Sequence, residues 1–154
     1  MPEKKTLERA RRDARQGKSA STQAGEFVRE EIDHVREGKH GVRSSKQAIA
    51  IGLSKARRAG VKLPPPKRGA TSSRTRRQAT RDLERGEEAS RKPSPRRSRA
   101  AERALKREGR SGASSTALSR QARGAAKRRR SKGGVSEGVS KPRRARKTAR
   151  KRRR

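Results

Sequence analysis

The stretch KQAIAIGLSKARRAG, Lys46–Gly60, carries the clearest amphipathic helix pattern in the chain. Its apolar and small residues recur at helical spacing and predict a single packing face, formed by Ala48, Ile49, Gly52, Leu53 and Ala56. We expect Ser44 or Ser45 to cap this helix and Gly60 to end it. The small residues on the face would let a second helix approach closely.

A second amphipathic segment, QAGEFVREEIDHVRE, precedes it at residues 23–37. We expect Ser21 or Thr22 to cap this helix and Gly38 to end it. Its predicted face comprises Ala24, Val28, Ile32 and Val35, with Phe27 at the margin. The two faces predict a small helical hairpin closed across GKHGVRS. An earlier helix, LERARRDARQ, is expected to begin at a Thr6 cap and to stop at Gly17.

Composition limits how much of the chain can form a core. Only 25% of the 154 residues are hydrophobic, 42% are charged, and one Phe is the sole aromatic residue. Such low hydrophobicity with a net charge of +34 favours disorder. We therefore predict a mostly α protein with extensive disorder, in which an N-terminal helical hairpin of about three helices precedes isolated short helices and a disordered basic tail.

The predicted organisation has four parts. They are an N-terminal basic helix (1–20), the helical hairpin (21–63), an Arg/Ala/Ser-rich linker (64–140) and a polybasic tail (141–154). Within the linker, the helix-capable pieces are 75–85, 95–108 and 115–130, each with too few apolar residues to pack.

Positive charge is concentrated towards the C-terminus. From Arg120 onward there are 17 Lys/Arg residues and one acid, Glu137. A flexible polycation binds a polyanion by releasing condensed counterions, so this density indicates nucleic-acid binding. Single-strand binders stack bases on aromatic rings, which favours duplex DNA as the partner here. Structured RNA stays open as an alternative, and anionic lipid or an acidic protein is a third class of partner.

The residues predicted to contact nucleic acid are basic and lie in four groups. They are Arg43, Lys46, Lys55, Arg57 and Arg58; Arg96 and Arg97; Lys127, Arg128, Arg129 and Arg130; and Arg143, Arg144, Arg146, Lys147, Arg150, Lys151, Arg152, Arg153 and Arg154. The second group belongs to SPRR, Ser94–Arg97, which resembles the groove-binding turns of linker-histone tails. Packing residues are Val28, Ile32, Val35, Ile49 and Leu53, and self-association through the hairpin is left open.

The sequence contains no residue pattern typical of a catalytic site or a metal-binding site. There is no cysteine, no nucleophile with a neighbouring base and no pair of buried carboxylates, so we expect no enzyme activity and no cofactor. His34 and His40 do not match a metal-binding spacing and are expected to be surface histidines rather than metal ligands. No apolar run is long enough to predict a signal peptide or a transmembrane segment, so an intracellular soluble protein is expected.

The segments TQAGEFVREEIDHVREGKHG and RSSKQAIAIGLSKARRAG, within residues 22–60, resemble a bacterial family of small basic proteins of unknown function. That family carries a KQAIAIGLSxARRAG-type motif followed by basic, Ala/Arg/Ser-rich sequence. The resemblance implies a bacterial protein of the cytoplasm or nucleoid, and it supplies no activity or catalytic residue. Together with the charge, it favours a non-enzymatic, histone-like, nucleoid-associated DNA-binding protein, with an RNA- or ribosome-associated basic protein as the alternative.

Overall fold

A computed structural model describes residues 2–88 and 94–133. These residues form six α-helices and a short 3-10 turn at Ser111–Ala113, and they contain no strand. The helices are α1 (Lys4–Arg15), α2 (Ala20–Arg36), α3 (Ser45–Arg58), α4 (Ser73–Glu87), α5 (Pro95–Lys106) and α6 (Ser115–Gly133). The expected mostly helical class is confirmed. No helix in the described ranges has the length and apolar character needed to cross a membrane.

Serine caps set the starts of four helices. The hydroxyls of Ser19, Ser44, Ser72 and Ser114 each accept a hydrogen bond from the backbone N–H three residues later. The Ser44 cap matches the prediction, whereas α2 is capped by Ser19 instead of Ser21 or Thr22. The predicted Thr6 cap is wrong, because α1 already begins after Glu3 and Thr6 lies buried within the helix.

The predicted helix ends are confirmed by three glycines with left-handed backbone geometry. Gly17, Gly38 and Gly60 have φ values of 69°, 80° and 90°, and they follow α1, α2 and α3 respectively. A residue with a Cβ adopts this conformation only at a cost, which explains why the helices stop at these points.

Helices α2 and α3 approach each other closely at Gly52. A Cβ added to Gly52 would lie 2.6 Å from the Cα of Val28 and 3.0 Å from the carbonyl oxygen of Phe27. Only a glycine therefore fits at this point of contact. The predicted close approach of a second helix to this face is present, and the hairpin arrangement of the two helices stays a prediction.

Two small apolar clusters form the core. The first joins α1, α2 and α3 with the segment that follows α3, through Ala10, Ala24, Phe27, Ala56 and Val61. The second lies near the end of α2 and comprises Val35, Val42, Ala48 and Ala113. Phe27 is fully buried, so its predicted marginal position is wrong. Its ring is the largest apolar group in the chain, and burying it removes the most apolar surface from water.

Helix α4 packs against the end of α3, which corrects its prediction as an isolated helix. Gly86 lies against the backbone of Arg57 so closely that a side chain would collide with the Arg57 carbonyl oxygen. Ala79 of α4 is also buried. Asp82 is 1% exposed and accepts hydrogen bonds from Ser54 Oγ at 2.6 Å and Gln78 Nε2 at 3.0 Å. Glycine contacts and a polar anchor thus replace the apolar residues that α4 lacks.

The segment between α5 and α6 is also attached to the rest of the fold. The backbone N–H groups of Gly41 and Val42 donate to the carbonyls of Leu105 and Gly109 at 2.9 and 2.8 Å. Ala113 completes the second apolar cluster and is 1% exposed. None of the residues of α5 is buried, so this helix is held mainly through its C-terminal end.

Candidate nucleic-acid interface

Helix α6 presents a continuous stripe of exposed cations. Arg120, Arg123, Lys127 and Arg130 are all exposed, and their spacing of three, four and three residues places them on one face. At a rise of about 1.5 Å per residue, the stripe is roughly 15 Å long. The helix contains no Asp or Glu, so no acid within it neutralises the stripe.

Hydroxyl groups border the same face. A shallow open groove along α6 is lined by Ser115, Thr116, Ser119, Arg120, Arg123, Gly124 and Lys127. Phosphate oxygens accept hydrogen bonds from Ser and Thr hydroxyls as well as from Arg and Lys. The groove therefore combines the two kinds of donor that position a protein on a phosphate backbone.

The N-terminal half of α4 forms a second basic surface. Its groove is lined by Arg68, Gly69, Thr71, Ser73, Arg76, Arg77 and Thr80, and its arginines are exposed. The first turn of α4 contains no acidic residue. Because the N-terminal end of a helix carries partial positive charge, the helix dipole and these arginines both favour an anion there. The sequence prediction omitted this surface, although the clustered arginines of SSRTRR could have indicated it.

Most of the predicted cations of the α3 region are already paired within the protein. Arg43 lies 3.2 Å from Glu108, Lys55 lies 2.6 Å from Glu31, and the Nε of Arg58 lies 3.2 Å from Asp82. Lys46 is exposed. An ion pair must be broken or shared before such a cation can neutralise a phosphate, so this region is a weaker phosphate surface than α6.

Arg57 does not lie on the outer surface that the sequence predicted. It is 6% exposed, and its guanidinium donates to the carbonyls of Leu63 and Pro64 at 3.1 and 3.3 Å. Burial lowers the pKa of this guanidinium below its usual value. The side chain holds the proline-containing segment that follows α3 instead of facing solvent, so its predicted exposure is wrong.

The remaining predicted cations divide into exposed and undescribed groups. Arg96 and Arg97 are exposed, and they belong to the first turn of α5, where Pro95 occupies the first helical position. SPRR therefore leads into a helix, as the predicted helix-capable piece 95–108 requires, and its groove-binding role stays a prediction. Lys127, Arg128, Arg129 and Arg130 are exposed on α6. The predicted contacts from Arg143 to Arg154 lie outside the described residues.

The predicted packing residues occupy the core face of α2 and α3 to different degrees. Val35 is fully buried, and Ile32 and Leu53 pack against the two apolar clusters. Val28 contacts Gly52, and Ile49 is half-buried. Ala56, which belongs to the predicted packing face of α3, is fully buried inside the protein. That face is therefore not free as a whole for self-association, which the sequence left open.

The two histidines were predicted to lie on the surface, but their side chains are mostly buried. The side chains of His34 and His40 are each 14% exposed, and their rings meet edge to face with centroids 6.1 Å apart. Glu31, which is fully buried, lies between His40 and Lys55. Hydrogen bonds from His34 and then Lys39 lower the pKa of the neighbouring Glu3 to about 2. The spacing of His34 and His40 in the sequence did not predict this cluster, because the two residues meet only when the loop after α2 folds back onto the helix.

Comparison with known proteins finds a match only for the N-terminal part of the chain. No curated protein sequence matches the chain, and no solved structure matches it either. The match is to a protein-family model, and the matched region contains α1, α2 and α3 and ends before α4. It includes the segments whose resemblance to an uncharacterised family was noted above. Residues 4–68 match the model of a family of unknown function, DUF6496.

Proposed function

We propose that this protein is a non-enzymatic, largely sequence-independent nucleic-acid-binding protein that neutralises the phosphates of duplex DNA in the bacterial nucleoid. The observation that carries the proposal is the exposed cationic stripe of α6, which contains no acid and is bordered by hydroxyls. The helical unit of α1 to α4, including the predicted hairpin of α2 and α3, serves as the platform. In the sequence, the polybasic C-terminal segment follows α6.

Burial of the single aromatic residue supports duplex over single-stranded partners. Phe27 is the only aromatic side chain, and it is fully buried in the first apolar cluster. Proteins that bind single strands without sequence preference stack bases on exposed aromatic rings. This protein has no such ring to offer, whereas duplex binding needs only cations and hydroxyls placed along the backbone.

Salt dependence of binding to a labelled duplex tests the role of α6. Each phosphate neutralised contributes about 0.9 to the slope of log K against log salt. Replacing the four stripe residues Arg120, Arg123, Lys127 and Arg130 with Gln should reduce that slope by about 3 to 4. An unchanged slope would contradict the proposed interface.

A matched control distinguishes the effect of the α6 stripe from the effect of lower net charge. Replacing four other cations with Gln removes the same amount of charge, but each of them is paired with an acid; they are Lys18, Arg29, Lys39 and Lys106. We expect a clearly smaller change in slope for this control. Equal losses in the two variants would mean that the chain binds as an unstructured polycation and that α6 has no special part.

The C-terminal tail is tested by deleting residues 143–154, which removes nine Lys/Arg residues. The slope should fall by up to about 8, while the helical circular dichroism of the remaining chain stays unchanged.

The RNA-associated alternative is distinguished by treating cell lysates with nuclease before pulldown. Partners that are lost with RNase and retained with DNase would favour RNA over DNA.

A further inference from the structure

A carboxylate and two imidazoles converge where the end of α2 meets the loop that leads to α3. Glu31 and His34 lie one helical turn apart on α2, and His40 follows in the loop. One ligating atom of each residue lies within 4.8 Å of those of the other two. We infer that this cluster is a binding site for a divalent transition-metal ion, with Zn²⁺ the best match.

The Glu31 carboxylate is buried without enough hydrogen bonds. Its side chain is 1% exposed, and neither oxygen accepts a hydrogen bond of good geometry. Lys55 Nζ lies 2.6 Å from Oε2, and Oε1 faces the imidazole of His40. A buried charge left partly unsatisfied is costly, so a second cation at Oε1 would be stabilising.

The hydrogen bond of His40 Nδ1 leaves Nε2 of the same ring facing Glu31 Oε1. Nδ1 lies 3.1 Å from the carbonyl oxygen of Gly41, and because a carbonyl only accepts, Nδ1 must carry the hydrogen. In the neutral ring Nε2 is then a lone-pair acceptor, yet it lies 3.2 Å from Glu31 Oε1, another acceptor. Two acceptors at this distance require either a second ring proton or a shared cation.

The distance between His40 Nε2 and Glu31 Oε1, and the hydrogen bond of the opposite ring nitrogen, both favour the shared cation. Zinc bonds of about 2.0 to 2.1 Å at a tetrahedral angle separate two ligand atoms by about 3.3 Å, close to the Nε2 to Oε1 distance. Histidine ligands of metals usually donate the opposite N–H to a backbone carbonyl or a carboxylate, as His40 does to Gly41. Proton-mediated pairing of His40 with Glu31 accounts for the same distance, and metal titration separates the two.

The donor set defines the class of ion. Two imidazole nitrogens and one carboxylate oxygen suit Zn²⁺ and its first-row neighbours, whereas Mg²⁺ and Ca²⁺ prefer oxygen alone. Glu3 Oε1 lies 2.8 Å from His34 Nε2 and adds negative charge beside the cluster. Lys55 and Lys39 supply positive charge nearby and limit the affinity. A bound ion would tie α2 to the loop before α3.

Zinc titration of the full, untagged chain tests the site. The chain is stripped with a chelator, dialysed, and titrated with Zn²⁺ in competition with a chromophoric chelator. One Zn²⁺ per chain is expected, and the absence of cysteine and of any third histidine keeps background sites few. Losing a group that only orients a ligand costs about 10- to 100-fold in metal affinity, so His40→Ala should cost at least about 100-fold.

The control is Glu102→Gln, which removes an exposed carboxylate far from the cluster in sequence and should leave zinc affinity unchanged. Failure of the unaltered chain to bind micromolar Zn²⁺ would overturn the inference, as would equal affinity in His40→Ala. If His40→Ala does not fold, the Co²⁺ spectrum of the unaltered chain decides. Intense visible bands of four-coordinate Co²⁺ support the site, and weak six-coordinate bands contradict it.

Discussion

The contact between α2 and α3 predicts opposite effects for alanine at two glycines. Gly25 and Gly52 both lie inside helices, but Gly25 has nothing within 4 Å of an added Cβ. At Gly52 the added Cβ would lie 2.6 Å from the backbone of Val28, about 0.8 Å closer than the 3.4 Å at which ordinary contact begins. Gly25→Ala should therefore stabilise the protein, and Gly52→Ala should force α2 and α3 apart.

The magnitude follows from two opposing effects. Alanine in a helix interior is more favourable than glycine by about 0.5 to 1 kcal/mol, and both variants gain this amount. Forcing an extra methyl group into a packed interface costs about 1 to 3 kcal/mol, and a separation of 0.5 to 1 Å forfeits about a quarter to a half of each dispersion contact. Because the propensity gain cancels in the comparison, Gly52→Ala should be about 1 to 3 kcal/mol less stable than Gly25→Ala.

Urea unfolding followed by circular dichroism at 222 nm measures this difference. Fluorescence is unsuitable because the chain has no Trp and no Tyr. Both variants are compared with the unaltered chain at high salt, so that residual nucleic acid does not stabilise any of them. Equal stabilisation by the two substitutions would refute the packing of α2 against α3 at Gly52.

Three further substitutions test the contacts that attach other parts of the fold. Gly86→Ala should destabilise the protein by about 1 to 3 kcal/mol in the same urea assay, since it separates α4 from the Arg57 backbone, and a neutral effect would contradict that contact. Asp82→Ala should cost about 1 to 3 kcal/mol because it leaves Ser54 without its buried acceptor, whereas Glu102→Ala at an exposed pair should cost clearly less; similar costs would argue against the buried anchor. Arg57→Gln should lower the urea midpoint because it leaves the carbonyls of Leu63 and Pro64 without their buried donor, and it should leave the salt slope of DNA binding unchanged; a shallower slope would mean that Arg57 contacts phosphate.

The helices and their ends followed from local patterns in the sequence. Gly17, Gly38 and Gly60 stop three helices as predicted, and Ser44 caps α3. Even the apolar-poor pieces of the linker form helices close to the predicted ranges. These features depend on hydrogen bonds and backbone preferences within a few residues, so the local sequence contains the information they need.

The positions of charged side chains could not be predicted in this way. Arg57 was expected on the surface and is buried against the carbonyls of Leu63 and Pro64. His40 was expected in solvent and lies against Glu31. In each case one of the two interacting residues lies on a segment that folds back onto a helix, and helical periodicity carries no information about where such a segment lies.

The sequence by itself determined that the chain is helical, poor in core residues and strongly cationic, because composition and short-range spacing decide those properties. Only the tertiary structure decided which cations remain available to a polyanion. Packing α2 and α4 against α3 brought acids beside Lys55 and Arg58 and left the α6 stripe exposed. The physical reason is that an ion pair depends on distances between atoms, and those distances arise only when segments remote in sequence meet.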